Sequence, residues 1–217
     1  MNIDSLLKRY FANSNVAPTI EVFDEENIHR VYVDVVNTFK VCPEIEVGVL
    51  QLLSYCFYEI LDNVVTHSGK KCGTVISRFL ADKNAIQILV ADDGIGIHQS
   101  LMKNEQYKEV SEQDALIMCL QDRVTDGMGM GFGLYSTLCL IRNVGIRFEI
   151  HSGSHLLVSD GENETVKETS SWQGTLLYLE LQSNQEIDPD RILDNRADVE
   201  SEFNEEFLDT EDLDDLW

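Results

Sequence analysis

Residues Val47–Gly69 read VGVLQLLSYCFYEILDNVVTHSG, and this stretch decides the fold. Val49, Leu52, Leu53, Cys56, Phe57, Ile60, Leu61, Val64 and Val65 recur at intervals of three and four. That period lays one apolar stripe along a helix of about five or six turns. Gly69 stops it. Gln51, Glu59, Asp62 and Asn63 interrupt the apolar run, so it does not read as a membrane span. Glu59, Asn63 and His67 are spaced at i, i+4 and i+8, along one line of the helix surface beside the stripe. A carboxylate and an amide one turn apart can hold a magnesium ion or orient a water. The carboxylate accepts a proton, and the amide oxygen is a hard, neutral ligand. The same spacing also suits a plain polar helix edge with a packed histidine.

Downstream, Thr74–Ala81 and Ala85–Ala91 are apolar, partly β-branched runs separated by Asp82-Lys83-Asn84. They predict an antiparallel hairpin. The second run ends in Asp92-Asp93-Gly94-Ile95-Gly96. Two glycines there let the backbone approach a flat ligand, and a carboxylate at a strand end can accept from an exocyclic amine. A turn after an edge strand reads equally well. A polar stretch, His98 to Gln113, leads to a short helix over Gln113–Leu120. Next comes Gly127-Met128-Gly129-Met130-Gly131-Phe132-Gly133-Leu134, with glycine at every second position. It feeds a helical pattern, Leu134–Val144, capped by Gly145. Free N–H groups and the positive dipole end of such a helix attract phosphate. The segment is neither a Walker A loop nor the dinucleotide fingerprint. Ile146–His151, His155–Ser159 and Thr175–Leu181 read as strands, the last two flanking a polar loop. Upstream, Thr19–Phe23 reads as a strand. Asn27–Lys40 stays open, since Val31, Val33 and Val35 alternate while Val31, Val35 and Val36 suit a helix. Partly segregated helices and strands predict an α+β fold, a two-layer sandwich with a mixed, mostly antiparallel sheet and helices on one face.

The 217 residues carry a net charge of −23, which argues against a general nucleic-acid binder or a protein docking on an anionic membrane. Glu186 to Trp217 holds fourteen acidic and two basic residues, a balance of −12, which leaves −11 for everything before it. Composition therefore divides the chain into a domain over 1–184 and an acidic tail over 185–217. The tail reads as disordered. Phe203, Phe207, Leu208, Leu213, Leu216 and Trp217 alternatively suit a short acidic helix for a basic partner groove or a mimic of nucleic acid. The five cysteines, at 42, 56, 72, 119 and 139, are odd in number and include no C-x-x-C pair. They read as free thiols in a reducing compartment, which points to the cytoplasm.

The order and spacing of three segments resemble the GHKL ATPases, a superfamily of topoisomerase, mismatch-repair, chaperone, histidine-kinase and anti-sigma-factor-kinase ATPase domains. Tyr58-Glu59-Ile60-Leu61-Asp62-Asn63-Val64-Val65-Thr66-His67 resembles its N box. Val90-Ala91-Asp92-Asp93-Gly94-Ile95-Gly96-Ile97 resembles its first glycine box, and Gly129-Met130-Gly131-Phe132-Gly133-Leu134 its second. Gly174-Thr175 resembles its closing pair. The resemblance spans about Val47 to Leu181 and implies the Bergerat ATP-binding fold with ATP and Mg²⁺ as cofactors. Asn63 would then ligate Mg²⁺, and Glu59 would be the general base. Asp92 would accept the adenine amine, with Thr175 supporting it. Gly94 and Gly96 would pass the base, while Gly129, Gly131 and Gly133 would wrap the phosphates. A mobile lid would run from about His98 to Met128. Gly127 to Met130 could alternatively take the register given to Gly129 onward, and His67 either packs the helix or contacts phosphate or water. Arg123, Lys70 and Lys71 are candidate local cations.

Thr66 stands where typical histidine kinases carry lysine, and there is no phosphoacceptor-histidine hairpin, no transmembrane sensor and no clear F box. The chain thus most resembles the anti-sigma-factor and serine-kinase branch. The expectation is a cytoplasmic, stand-alone Mg·ATP-binding ATPase or kinase-like regulator that switches a protein partner. The alternative is a nucleotide-gated binding module without turnover. Relatives of that branch often dimerise, so a homodimer is also expected; direct nucleic-acid or membrane binding is not.

Overall fold

A computed structural model describes residues 2–127, 133–160 and 162–189. The chain divides into two units, Met1–Ile187 and Asp188–Trp217, and only Asp188 and Pro189 of the second are among the described residues. Among the described residues, all the helices and strands lie in the first. They run α1 (Ile3–Tyr10), β1 (Thr19–Asp24), α2 (Ile28–Lys40), α3 (Val47–His67), β2 (Cys72–Leu80), β3 (Ala85–Ala91), α4 (Gly96–Leu101), α5 (Glu112–Met118), α6 (Gly133–Val144), β4 (Gly145–Ser159) and β5 (Glu164–Gln182).

The five strands form one sheet in the order β1-β2-β3-β5-β4, with every neighbouring pair antiparallel. The architecture is the expected α+β sandwich. Directly opposed residues share a face, so the register separates two surfaces. Val75, Val90, Leu177 and Ile150 belong to one, and Ile76, Leu89, Tyr178 and Glu149 to the other. On α3, Val49, Leu52, Leu53, Cys56, Phe57, Ile60, Leu61 and Val64 are buried. Each such side chain contributes about 1.5–3 kcal/mol relative to exposure. The helix ends at Ser68 because Gly69 follows at φ +74°. The unassigned segment is α2: Val31, Val35, Val36 and Phe39 are buried at helical spacing.

One helix departs from the single-face expectation. α1, which the sequence did not announce, buries Leu6 and Tyr10 against Ile76, Leu89, Ala91, Leu176 and Tyr178 on the second surface. Charge fastens it there. The Tyr10 hydroxyl donates to Glu149 at 2.9 Å, and Arg9 and Arg147 flank the same buried carboxylate. Burial and Glu149 together push the Tyr10 phenol well above its ordinary range.

Two stretches read as loops are structured. Residues 164–174, read as part of a polar loop, extend β5 back as an arm paired with β4, with Lys167 opposite Leu156 and Thr165 opposite Val158. β4 is one strand of 15 residues rather than two, irregular in register about Gly153. The described part of the expected mobile lid, residues 98–127, holds most of α4 besides α5, the short helix expected there. Leu101, Tyr107 and Ala115 form a small core of their own with Ile97, Val110, Met118 and Val124. All five cysteines are free thiols. Among the described residues, no helix is long and apolar enough to cross a membrane.

Candidate functional site

The C-terminal end of α3 is where the motif segments meet. The Ser68 carbonyl accepts from the Ile95 N–H at 2.9 Å, so the helix end is joined to the glycine turn after β3. A Cβ on Gly94 would lie 2.1 Å from that same oxygen, an approach only glycine permits. Asn63 and Glu59 lie one and two turns back from His67 on this helix, both partly buried. The Asn63 Nδ2 is buried without a hydrogen-bond partner. An orphaned amide of this kind costs free energy until a ligand satisfies it.

Asp92 follows β3 directly and is 3% exposed, whereas Asp93 is exposed. The Gly94 N–H donates to its Oδ1 at 2.7 Å and the Thr175 N–H to its Oδ2 at 3.2 Å. Burial outweighs these donors and raises the carboxyl to about 6. Gly174 adopts φ +88°, and a Cβ there would lie 2.4 Å from the Asp92 carbonyl oxygen and 2.5 Å from its Oδ1. The pair Gly174-Thr175 therefore closes over Asp92. Gly96 opens α4 beside Gly174 and Ser152.

The sequence did not single out several residues that hold this knot. The Ser152 hydroxyl, on β4, accepts from the Ile97 N–H at 2.9 Å and donates to the Gly174 carbonyl at 3.0 Å. Gln173 Nε2 donates to the Gly94 carbonyl. His67 Nδ1 lies 2.9 Å from Asp126 Oδ2, which also accepts from the Ser100 hydroxyl at 2.8 Å. Asp126 immediately precedes Gly127, and that position next to a glycine run was its only sequence signal. Ser152 and Gln173 gave none, because their partners are 55 and 79 positions away.

Glu59, Asn63, Asp92, Gly94, Gly96 and Thr175 are thus placed on α3, the turn after β3 and the start of the last strand's core segment. Gly133 opens α6. Gly129 and Gly131 lie outside the described residues, as does the choice of glycine register. Of the expected cations, Lys71 pairs with Glu25 at 2.8 Å and Arg123 lies 3.9 Å from Asp122. Among the described residues, no group of three or more His, Cys, Asp or Glu could hold a metal ion. Asn63 would serve as one hard ligand for Mg²⁺, which ordinarily takes few protein groups and fills its shell with phosphate oxygens and water.

A family model of histidine kinase-, DNA gyrase B- and HSP90-like ATPases matches residues 48–184. The chain belongs to this family. Domains of this GHKL family bind ATP, usually with Mg²⁺. A comparison with curated proteins finds no match. Among solved structures, the chain is similar to the ATPase region of Saccharomyces cerevisiae topoisomerase II bound to ICRF-187 (dexrazoxane). Identity is 14% and the TM-score 0.32, over 64% of this chain and 41% of that one. The chain therefore spans well under two thirds of that relative's length.

Proposed function

We propose that this GHKL domain binds Mg·ATP at the junction of α3, the Asp92–Gly96 turn and Gly174-Thr175, and uses it to switch a protein partner in the cytoplasm, as an anti-sigma-factor-like kinase or ATPase. The observation that supports it most is the close packing there. Ser68 meets Gly94 and Ile95, and Gly174 closes on Asp92, at distances no side chain could enter. Asp92 would accept from the exocyclic amine of adenine, and Thr175 would hold that carboxylate through its N–H. Asn63 would hold Mg²⁺ by its amide oxygen, and the ion would offset the phosphate charge that an acidic protein cannot attract at long range. Glu59 would take the proton from the attacking hydroxyl, of water or of a partner serine. The acidic tail and a homodimer interface remain part of this reading as surfaces for that partner or for a second copy.

Incubation of the pure protein with radiolabelled ATP and magnesium, with and without proteins co-purified from its host, tests the chemistry. Glu59→Gln is expected to keep nucleotide binding and lose turnover or transfer by about a hundredfold or more, the scale of a general-base contribution. Binding without turnover in the wild type under every condition would replace the enzyme with a nucleotide-gated module.

Asp92 sets a pH dependence with two opposite signs. Its raised value means that the neutral form suits the fold. The associated stability is complete below the ordinary carboxylate range and is lost as pH rises through about 6. Ligand affinity runs the other way, because the ionised carboxylate is the stronger acceptor. Adenosine affinity is expected to rise between pH 5 and pH 7 with a midpoint near the value of about 6 assigned to Asp92. A flat profile would exclude Asp92 as the acceptor.

A further inference from the structure

Among the described residues, the site as built so far has an acceptor for the base but no group yet assigned as a cation for the phosphates. Lys71 is engaged by Glu25, on the side of the domain where β2 begins. A different set of groups stands at the end of the α3 line that carries Asn63. Asp126 is a nearly fully buried carboxylate, with a side chain 2% exposed. Its Oδ2 meets His67 Nδ1 at 2.9 Å, the Ser100 hydroxyl at 2.8 Å and Lys103 Nζ at 3.7 Å. The three come from α3, α4 and the turn after α4.

A carboxylate that already accepts from Ser100 takes the Nδ1–H of the imidazole as a second donor. This fixes the ring plane and turns Nε2 away from the carboxylate. His67 stays a quarter exposed and Lys103 43% exposed, so both remain open to a ligand, while the anion that holds them is sealed from water. Nothing about a helix edge requires this. A histidine that merely packs α3 needs no buried carboxylate, and burying one is expensive unless its partners are used.

We infer that Asp126 is a positioning residue of the nucleotide site, holding His67 and Lys103 as the two groups that contact the polyphosphate of ATP. The inference rests on the nucleotide reading above. It assigns His67 to phosphate contact rather than packing, and it puts the local cation on Lys103 instead of Lys70, Lys71 or Arg123.

The test compares the affinities of adenosine, Mg·ADP and Mg·ATP by calorimetry on the full chain. His67→Gln and Lys103→Met are each expected to weaken Mg·ATP about tenfold, the scale of a charge-assisted contact, and to leave adenosine within about twofold. Asp126→Asn is expected to reproduce both losses in one variant, and Lys103→Arg to restore most of the Lys103 effect. Lys71→Met should leave all three ligands unchanged. Equal weakening of adenosine and Mg·ATP would show a structural role alone and overturn the inference. So would unchanged Mg·ATP affinity in His67→Gln and Lys103→Met, whose side chains are exposed enough to be replaced without unfolding. Failure of the wild type to bind any of the three would remove the nucleotide reading itself, and this inference with it.

Discussion

Asp92→Asn is expected to abolish detectable adenine-nucleotide binding, a loss on the order of a hundredfold or more in affinity, while the domain stays folded. The carboxylate is placed by three backbone connections: its own N–H donates to the Thr175 carbonyl at 2.9 Å, and its oxygens accept from Gly94 and Thr175. An amide has one oxygen, so it can keep one of those two donors or offer that oxygen to a ligand, and its NH₂ would face a donor. Replacing a buried charge-assisted acceptor costs about 1.5–3 kcal/mol, and more where the ligand amine is left unsatisfied. Stability should change little, because the substitution also removes a charge whose burial raises the carboxyl to about 6. Calorimetry and a denaturant midpoint read the two quantities separately. Asp93→Asn, at the exposed neighbour, is the matched control and should leave both unchanged. Retained affinity in Asp92→Asn would mean that the base lies elsewhere.

Gly174→Ala carries the second large effect, and its target is the fold. The residue holds φ +88°, which side chains rarely adopt, and the added Cβ would meet the Asp92 carbonyl at 2.4 Å, Asp92 Oδ1 at 2.5 Å and the Gly94 N–H nitrogen at 2.7 Å. Two of these three atoms are backbone, so no rotamer change relieves the contact. Backbone strain of about 1–3 kcal/mol adds to an overpacking cost of about 1–3 kcal/mol. We expect a loss of about 3 kcal/mol or more in urea unfolding, or a failure to fold. Gly69→Ala separates the two causes. It has a similar φ of +74°, but the nearest heavy atom to its Cβ is Ile95 Cγ2 at 3.6 Å. It should show the strain without the collision. Equal losses at both glycines would mean that the close approach of Gly174 to Asp92 contributes nothing.

What could be read from the sequence follows from how each element is solvated. α3 and the β2–β3 hairpin announced themselves because one face of each is buried and the other is not, or because both are. α2 needed the structure to choose between alternation and helical spacing, since Val33 fits only one of the two patterns. α4 is six residues long, too short for a period to emerge, so its segment looked like a polar loop, whereas α5, over Glu112–Met118, lies close to the short helix expected at Gln113–Leu120. The outer half of β5 mixes exposed and half-buried residues and holds few apolar ones, so it carries no apolar signature, even though Leu156 and Leu157 beside it on β4 are buried. α1 buries only Leu6 and Tyr10, and its anchor, Glu149, is 139 positions from Tyr10.

The site divides in the same way. Glu59, Asn63, Asp92 and the glycines were legible because helical spacing and turn chemistry are local properties. Ser152, Gln173, Ser100 and Lys103 were not, because each acts through a partner brought near only by the sheet or by the packing of α4. Asp126 stands between these classes: its neighbour Gly127 was noticed, but its burial was not visible until the chain was folded.

Titration of the 217-residue chain with Mg·ATP by isothermal calorimetry tests the central claim most directly. The account predicts saturable heat that weakens when magnesium is chelated and vanishes in Asp92→Asn. No heat with ATP or ADP at any magnesium concentration, from protein shown to be folded, would contradict it.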